Sequence, residues 1–264
     1  MRLFTWNINS VRVRLPMLID LIDKQQPDVF CLQETKVVDE LFPVDALIDK
    51  GFKYHHFAGM KSYNGVAIFS KLPLSDKQVY NRCGKEDCRH ISVKVEDKTN
   101  PFELHNLYIP AGGDEPDPVV NEKFKHKLDF IDELSDWFKE NRSAKDPIVA
   151  VGDLNIAPLE HDVWDHKKLL KIVSHTPVEV ERLAKLYSSI DWVDAIRHFV
   201  PEDEKLYSWW SYRSKNWDIA DKGRRLDHIW VTEKLKSALK QQQVLRDIRG
   251  LERPSDHAPI MLDF

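Results

Sequence analysis

Asp153 and Asn155, within Gly152-Asp153-Leu154-Asn155-Ile156, are the side chains of this sequence best placed to do chemistry. They follow Ile148-Val149-Ala150-Val151, a short apolar run that predicts a buried strand. Side chains alternate across a strand, so Asp153 and Asn155 project to one side and Leu154 to the other. A carboxylate and a carboxamide on one side can share a cation or a phosphate. Taken alone, Gly-Asp-x-Asn is better read as a strand that stops in an Asx-rich turn. It is not alone: Asn7, Glu34, Tyr108, Asp227, Asp256 and His257 also stand at or just past predicted strand ends, where a sheet can bring residues to one mouth. Ser255-Asp256-His257-Ala258-Pro259 sets an acid beside an imidazole ahead of a closing strand, a pairing that serves a metal and a proton transfer together. A turn explains an isolated Asp-His and a core position explains an isolated Tyr108; the combination predicts a site.

The elements that must position these residues are legible as periodicities. Residues 2–8 alternate, with Phe4, Trp6 and Ile8 on one face and Leu3, Thr5 and Asn7 on the other. Pro16 is expected to open a helix whose Leu15, Leu18, Ile19 and Ile22 recur at helical spacing. In a strand over 28–34, Phe30, Leu32 and Glu34 share a face, so that a carboxylate ends an apolar stripe and needs a partner. Further strands are predicted at 64–70, 89–96, 102–109, 226–232, 242–248 and 258–263, with helices near 121–140 and 177–190. Thr176-Pro177-Val178-Glu179 is a capping box with proline at the first helical position. Many alternating strands with few intervening helices predict two packed sheets flanked by helices, in one domain over 1–264.

Composition bounds the function. A chain of 264 residues, 42% hydrophobic and 31% charged, can bury a large core and is the size of an enzyme. Its apolar runs are too short to cross a bilayer and its start goes straight into strand alternation without a signal-peptide pattern, so the expected compartment is the cytoplasm, with no membrane partner. Cys31, Cys83 and Cys88 leave an odd number without a C-x-x-C, which predicts reduced thiols and argues against a zinc site. A net charge of -4 excludes a uniformly basic coat, yet an acidic site would conceal a basic rim in that total. Such a rim is suggested by Arg213-Ser214-Lys215 and Lys222-Gly223-Arg224-Arg225, interleaved with Tyr207, Trp209, Trp210, Tyr212 and Trp217. Aromatic faces beside cations suit unstacked bases, sugars and phosphates. A solvated loop over a second aromatic core is the other reading of the same segment.

At this point the sequence resembles the exodeoxyribonuclease III branch of the endonuclease/exonuclease/phosphatase superfamily, the Mg²⁺-dependent abasic-site endonucleases of base excision repair. The motifs run from end to end: Thr5-Trp6-Asn7-Ile8-Asn9-Ser10-Val11-Arg12, Leu32-Gln33-Glu34-Thr35-Lys36, Leu107-Tyr108-Ile109-Pro110, Gly152-Asp153-Leu154-Asn155, Arg225-Leu226-Asp227 and Ser255-Asp256-His257. The acids and the histidine are common to the superfamily; Tyr207 to Lys215 resembles the branch's own segment lining the abasic-sugar pocket and the DNA groove. The resemblance implies a four-layer α/β sandwich, of α+β type, whose two mixed, mostly antiparallel sheets carry the active site at one edge. It implies Mg²⁺, with Mn²⁺ as a substitute, held by Asn7, Glu34, Asp153, Asn155 and Asp256. Tyr108, Asp153, Asn155, Asp227 and His257 become the catalytic set, and whether His257 or Asp153 takes the proton stays open. Arg12, Lys36, Trp209, Trp210, Arg213, Lys215, Arg225 and Leu226 become DNA contacts.

The implied activity of such a monomer is incision of double-stranded DNA 5′ to abasic sites, leaving a 3′ hydroxyl and a 5′-deoxyribose phosphate. Trimming of blocked 3′ ends and 3′-to-5′ exonuclease action accompany it. A lipid or inositol phosphatase using the same acids, and a non-catalytic nucleic-acid-binding relative, are the competing readings. Three departures touch substrate choice. Ala111 stands where many relatives have Asn or Gln against backbone phosphate, and Arg224 where vertebrate relatives have a pocket tryptophan. Leu159 to Ser174, with Trp164, His166, Lys167, Lys168 and Lys171, replaces a Gly- and Asn-rich loop.

Overall fold

The computed structural model describes residues 1–264. In chain order the strands are β1 (Arg2–Asn7), β2 (Val29–Gln33), β3 (Tyr54–Met60), β4 (Tyr63–Ser70), β5 (Leu74–Val79), β6 (His90–Val95) and β7 (Phe102–Tyr108). They continue as β8 (Ile148–Asp153), β9 (Val193–Asp194), β10 (Trp209–Trp210), β11 (Gly223–Arg224), β12 (Asp227–Val231), β13 (Gln241–Val244) and β14 (Ile260–Asp263). One six-stranded sheet has the order β13-β14-β1-β2-β4-β3, the other β5-β6-β7-β8-β12-β9, and β10 with β11 makes a two-stranded ribbon. Each large sheet contains one parallel pair, β1 with β2 and β7 with β8, among antiparallel neighbours. A parallel pair needs a crossover, which the helices Val11–Gln25 and Glu122–Asn141 supply.

Strand alternation then builds the layers. Leu3, Val29, Cys31 and Ile68 of the first sheet meet Val93, Val149, Val151 and Ile229 of the second in the central core. On the far side of the first sheet, Phe4, Trp6, Phe30 and Leu32 pack against Leu18, Leu21 and Ile22 of the first helix. On the far side of the second, Leu107, Ala150 and Trp230 meet Phe130, Leu134 and Phe138, together with Leu183 and Leu186 of the helix Pro177–Ser188. The result is the helix–sheet–sheet–helix sandwich that the alternation and the family resemblance implied. No helix is long and apolar enough to cross a membrane.

Several expectations are corrected. The first helix starts at Val11, not at Pro16, which lies inside it. The amides of Ser10 and Val11 bond to the carbonyls of Glu34 and Thr35 at 2.7 and 3.1 Å, and Val11 is wholly buried, so tertiary anchoring sets the start ahead of the proline's local preference. Glu34 does not continue the Phe30–Leu32 face: β2 ends at Gln33, and Glu34 takes φ +51, a left-handed conformation costing about 1–2 kcal/mol. That turn swings its carboxylate to the inner side of the sheet. The 242–248 strand is only Gln241–Val244, followed by a 3₁₀ turn over Arg246–Gly250. β3 and β5 were not foreseen; both are edge strands with largely exposed or half-buried side chains and weak apolar alternation.

Candidate active site

The ends of β1, β2, β7, β8 and β12 and the segment before β14 meet at one edge of the sandwich. Register makes the row: Tyr108 pairs with Asp153 across the parallel β7–β8 ladder, and Asp153 with Asp227 across the antiparallel β8–β12 ladder. Gly152 permits the close approach of β7 and β8, because a Cβ there would overlap the Leu107 carbonyl. Asn7, at the end of β1, spans the two sheets. Its Nδ2 donates to Asp153 Oδ2 at 2.8 Å and to Glu34 Oε1 at 2.9 Å, and the Tyr108 hydroxyl donates to the same Glu34 oxygen at 2.8 Å. His257 shares a hydrogen bond between Nδ1 and Asp227 Oδ2 at 2.8 Å and turns Nε2 toward Asp153 Oδ2 at 3.6 Å. Since Nδ1 faces a carboxylate, it carries the hydrogen. Ser208 Oγ donates to Asp227 Oδ2 at 2.6 Å, Trp6 Nε1 to the His257 carbonyl at 3.0 Å, and Ser255 Oγ to the Asn7 carbonyl at 2.7 Å.

Burial and neighbouring charge separate the titrating groups. Burial disfavours the Asp153 carboxylate, and the charges of Asp227 and Glu34 add to this against the pull of His257, raising its pKa to about 7. For His257 burial favours the neutral ring, but Asp227 and Asp153 outweigh it and lift the imidazole to about 10. Burial would raise Glu34 as well; the Lys36 ammonium, 2.7 Å from Oε2, and the Asn7 hydrogen bond hold it below its ordinary value. Tyr108 is raised well above the usual phenol range by burial and then by Glu34.

These groups suit a hard cation. Oxygens of Asp153 and Asp227 and a His257 nitrogen lie within 4.8 Å of one another. Asp227 Oδ1 is buried without a hydrogen-bond partner, and the Lys36 ammonium seats a positive charge on Glu34. Of the residues expected to hold a metal, Asn7, Glu34 and Asp153 are directly linked. Asn155 adjoins them through a turn, its N–H on Asp153 Oδ1 at 2.9 Å and its Nδ2 on the Ile109 carbonyl at 2.9 Å, so the Asx turn and the polar site are one structure. Asp256 has both oxygens engaged, by Asn9 Nδ2 at 3.0 Å and Trp209 Nε1 at 2.9 Å.

Above this floor opens a cleft of roughly 730 Å³. Glu34, Asp153, Asn155, Asp256 and His257 line its base; Trp164, Ile172, Val173, Ser174, Trp209, Arg224 and Leu226 its walls; Arg213, Ser214 and Lys222 its rim. Arg224 lies 5.3 Å from the Trp209 ring and donates to the Val173 carbonyl and Ser174 Oγ at 2.9 and 2.8 Å. Arg12, Arg213 and Lys215 are exposed, while Lys36 bridges Glu34 and Asn9.

Two expected DNA contacts are corrected. Alternation on β10 sends Trp209 to the cleft and Trp210 inward, where it is 2% exposed, packs on Tyr207 and Ala258, and donates to Asp221. Arg225, also 2% exposed, is neutralised by Asp162 at 2.8 Å and Asp194 at 2.6 Å. The sequence offers Lys222 as part of a basic rim and Trp164 as part of a divergent loop, but not their pairing, in which the ammonium sits 4.8 Å from that ring. Ser208 and Ser255 stand within its motifs without a role, and Lys127 is absent from them. Only Lys127 carried a signal, as a charge on the apolar stripe of its helix.

Comparison with known proteins agrees with this geometry. Residues 4–257 match the endonuclease/exonuclease/phosphatase family. The chain is 33% identical to an exodeoxyribonuclease III of Haemophilus influenzae, with all of both chains covered. It is 30% identical to an exodeoxyribonuclease of Bacillus subtilis, covering 99% of this chain and 98% of that one. Among solved structures it resembles the 3′ phosphatase NExo from Neisseria bound to a product DNA hairpin (TM-score 0.89, 31% identity) and an AP endonuclease from Archaeoglobus fulgidus (TM-score 0.92, 29% identity), each covering 100% of this chain and 99% of the other. The chain therefore belongs to the endonuclease/exonuclease/phosphatase family and, within it, to the exodeoxyribonuclease III branch of hydrolytic DNA-repair nucleases.

Proposed function

We propose that this protein is a Mg²⁺-dependent phosphodiesterase that incises duplex DNA 5′ to abasic sites, leaving a 3′ hydroxyl and a 5′-deoxyribose phosphate. Trimming of blocked 3′ ends and 3′-to-5′ exonuclease action use the same hydrolysis. The observation that carries the reading is the linked set Glu34, Asn7, Asp153, His257 and Asp227 at the floor of a cleft walled by Trp164, Trp209, Arg224 and Leu226. Aromatic and cationic walls suit an unstacked sugar and its phosphates, and a tight apolar pocket admits a sugar without a base while excluding an intact nucleotide. Arg213 at the rim, with Arg12 and Lys215 exposed elsewhere on the surface, would supply phosphate contacts. The same reading takes the protein as a monomer acting on DNA in the cytoplasm.

Glu34 and Asn7 would hold Mg²⁺, with Mn²⁺ as a substitute, leaving Asp153 free to handle a proton. When bound, that ion supplies neutralisation of the scissile phosphate and the leaving 3′ oxygen. His257, kept cationic and oriented by Asp227, would stabilise negative charge growing on the phosphate. Asp153, poised near neutrality by burial, exchanges a proton with the attacking water or the leaving group. Asn155 has one amide hydrogen on Ile109 and a second for a phosphate oxygen, and the single hydroxyl hydrogen of Tyr108, on Glu34 here, would pass to a phosphate oxygen when DNA is bound. The test is cleavage, with and without Mg²⁺, of a duplex bearing one abasic analogue and of a duplex with a 3′ phosphate, beside an intact duplex and an inositol phosphate. Mg²⁺-dependent cutting of the first two is expected; phosphate release from the inositol compound with the DNA left whole would overturn the reading.

A further inference from the structure

On the helix Glu122–Asn141 a lysine stands among Phe124, Leu128 and Ile131, where the apolar spacing calls for a hydrophobe. Lys127 and its partner Glu179 are both 0% exposed, and a buried ammonium is tolerated only with its hydrogen-bonding capacity used. Lys127 Nζ meets the Glu179 carboxylate and donates to the carbonyls of Asn155 at 2.9 Å and Ala111 at 3.3 Å. Glu179 caps its own helix through the N–H and hydroxyl of Thr176, at 3.1 and 2.6 Å, but it also accepts the Ser174 N–H on both oxygens, at 3.0 and 2.9 Å.

Three segments are thus tied to one ion pair. The first follows Tyr108; the second carries Asn155; the third is the cleft wall over 172–176, whose Val173 carbonyl and Ser174 hydroxyl hold Arg224. Asn155 itself has φ +55, and its N–H, its side-chain amide and its carbonyl are fixed by Asp153, Ile109 and Lys127 respectively. Capping alone would require neither the lysine nor its reach to the Asn155 carbonyl.

We propose that Lys127 and Glu179 form a buried positioning pair that sets Asn155 and the 172–176 wall for phosphodiester cleavage without touching substrate, an inference that rests on the nuclease reading above. Because an ångström of misplacement costs up to about a hundredfold in rate, Lys127→Met should lower single-turnover cleavage about tenfold to a hundredfold. DNA affinity should move by less than about threefold, since no substrate contact is removed. The same substitution in an Asn155→Ala background should cost clearly less than in the wild type, because of the two elements the pair positions only the 172–176 wall is left to lose.

The assay uses the full chain with Mg²⁺ and a 3′-phosphate duplex, at a temperature where circular dichroism finds every variant folded. Should Lys127→Met not fold, Lys127→Met/Glu179→Leu replaces the pair with apolar groups of similar volume, a change cores often accept, and takes its place in the cycle. A wild-type rate in the folded variant, equal losses in both Asn155 backgrounds, or a loss confined to DNA affinity would overturn the pair's role. If the wild-type chain leaves DNA whole, the nuclease reading fails by itself. The pair is then judged by amide exchange at Asn155, where faster exchange in the variant supports it and unchanged exchange overturns it.

Discussion

Asp227→Asn isolates the charge that governs His257. Asp227 is buried at the start of β12, its Oδ2 bonded to His257 Nδ1 at 2.8 Å and to Ser208 Oγ at 2.6 Å. Asparagine fills the same volume, so packing persists while the charge goes. Burial pushes His257 toward the neutral ring, and Asp227 is the largest influence opposing it on the way to about 10. One adjacent opposite charge moves a pKa by about 1–3 pH units, or about 1.4–4 kcal/mol of preference for the cation, which brings His257 to about 7–9. A carboxamide can also turn its NH₂ toward Nδ1, which accepts a hydrogen bond only in the neutral ring and so favours loss of the charge further. Single-turnover cleavage should fall up to about fourfold near pH 7.5 and up to about a hundredfold at about pH 9, and the alkaline limb of the rate profile should move down by about 1–3 pH units. Stability follows with a definite sign. A histidine raised on folding contributes fully below its unfolded value of about 6.5, and that contribution is lost as pH rises through its folded value. The wild type should therefore lose stability between about 6.5 and 10, and the variant should lose less of it over that range. Rate profiles from pH 6 to 10 and urea melts at each pH make the measurement; an alkaline limb that stays put in Asp227→Asn would refute control of His257 by this carboxylate.

Glu34→Ala should leave DNA binding intact or tighter while cleavage falls about 10²–10⁴-fold, and a near wild-type rate at limiting Mg²⁺ would remove Glu34 from the metal site. Trp209→Ala opens the wall against Leu226 and frees Arg224 and Asp256, so discrimination between abasic and intact duplex should erode more than general affinity; equal loss on both in binding titrations would make Trp209 a packing residue. Asp162→Ala leaves Arg197 with an unpaired and Arg225 with a half-compensated buried charge, predicting about 3–5 kcal/mol of destabilisation in urea melts with the salt dependence of DNA binding unchanged.

What the chain announces and what it conceals divide along a physical line. Strand alternation is local, so the faces of β1, the apolar run of β8 and the sandwich they imply could be read directly, and so could the cluster of polar strand ends. The edge strands β3 and β5 bury too little to alternate and left no such mark. Glu34 could be singled out as a carboxylate in need of a partner, but the left-handed backbone that turns it to Tyr108 and Asn7 is imposed from the Ser10 amide and the Gly65 loop. Arg224 and Arg225, or Trp209 and Trp210, look alike in a sequence, and only the ribbon's pleat and the acids waiting inside decide which member meets the cleft. Lys127 marks the opposite case: one charge on an apolar stripe states that a partner must exist somewhere in the fold. Packing then supplies the partner's identity, and with it three loops of the active site.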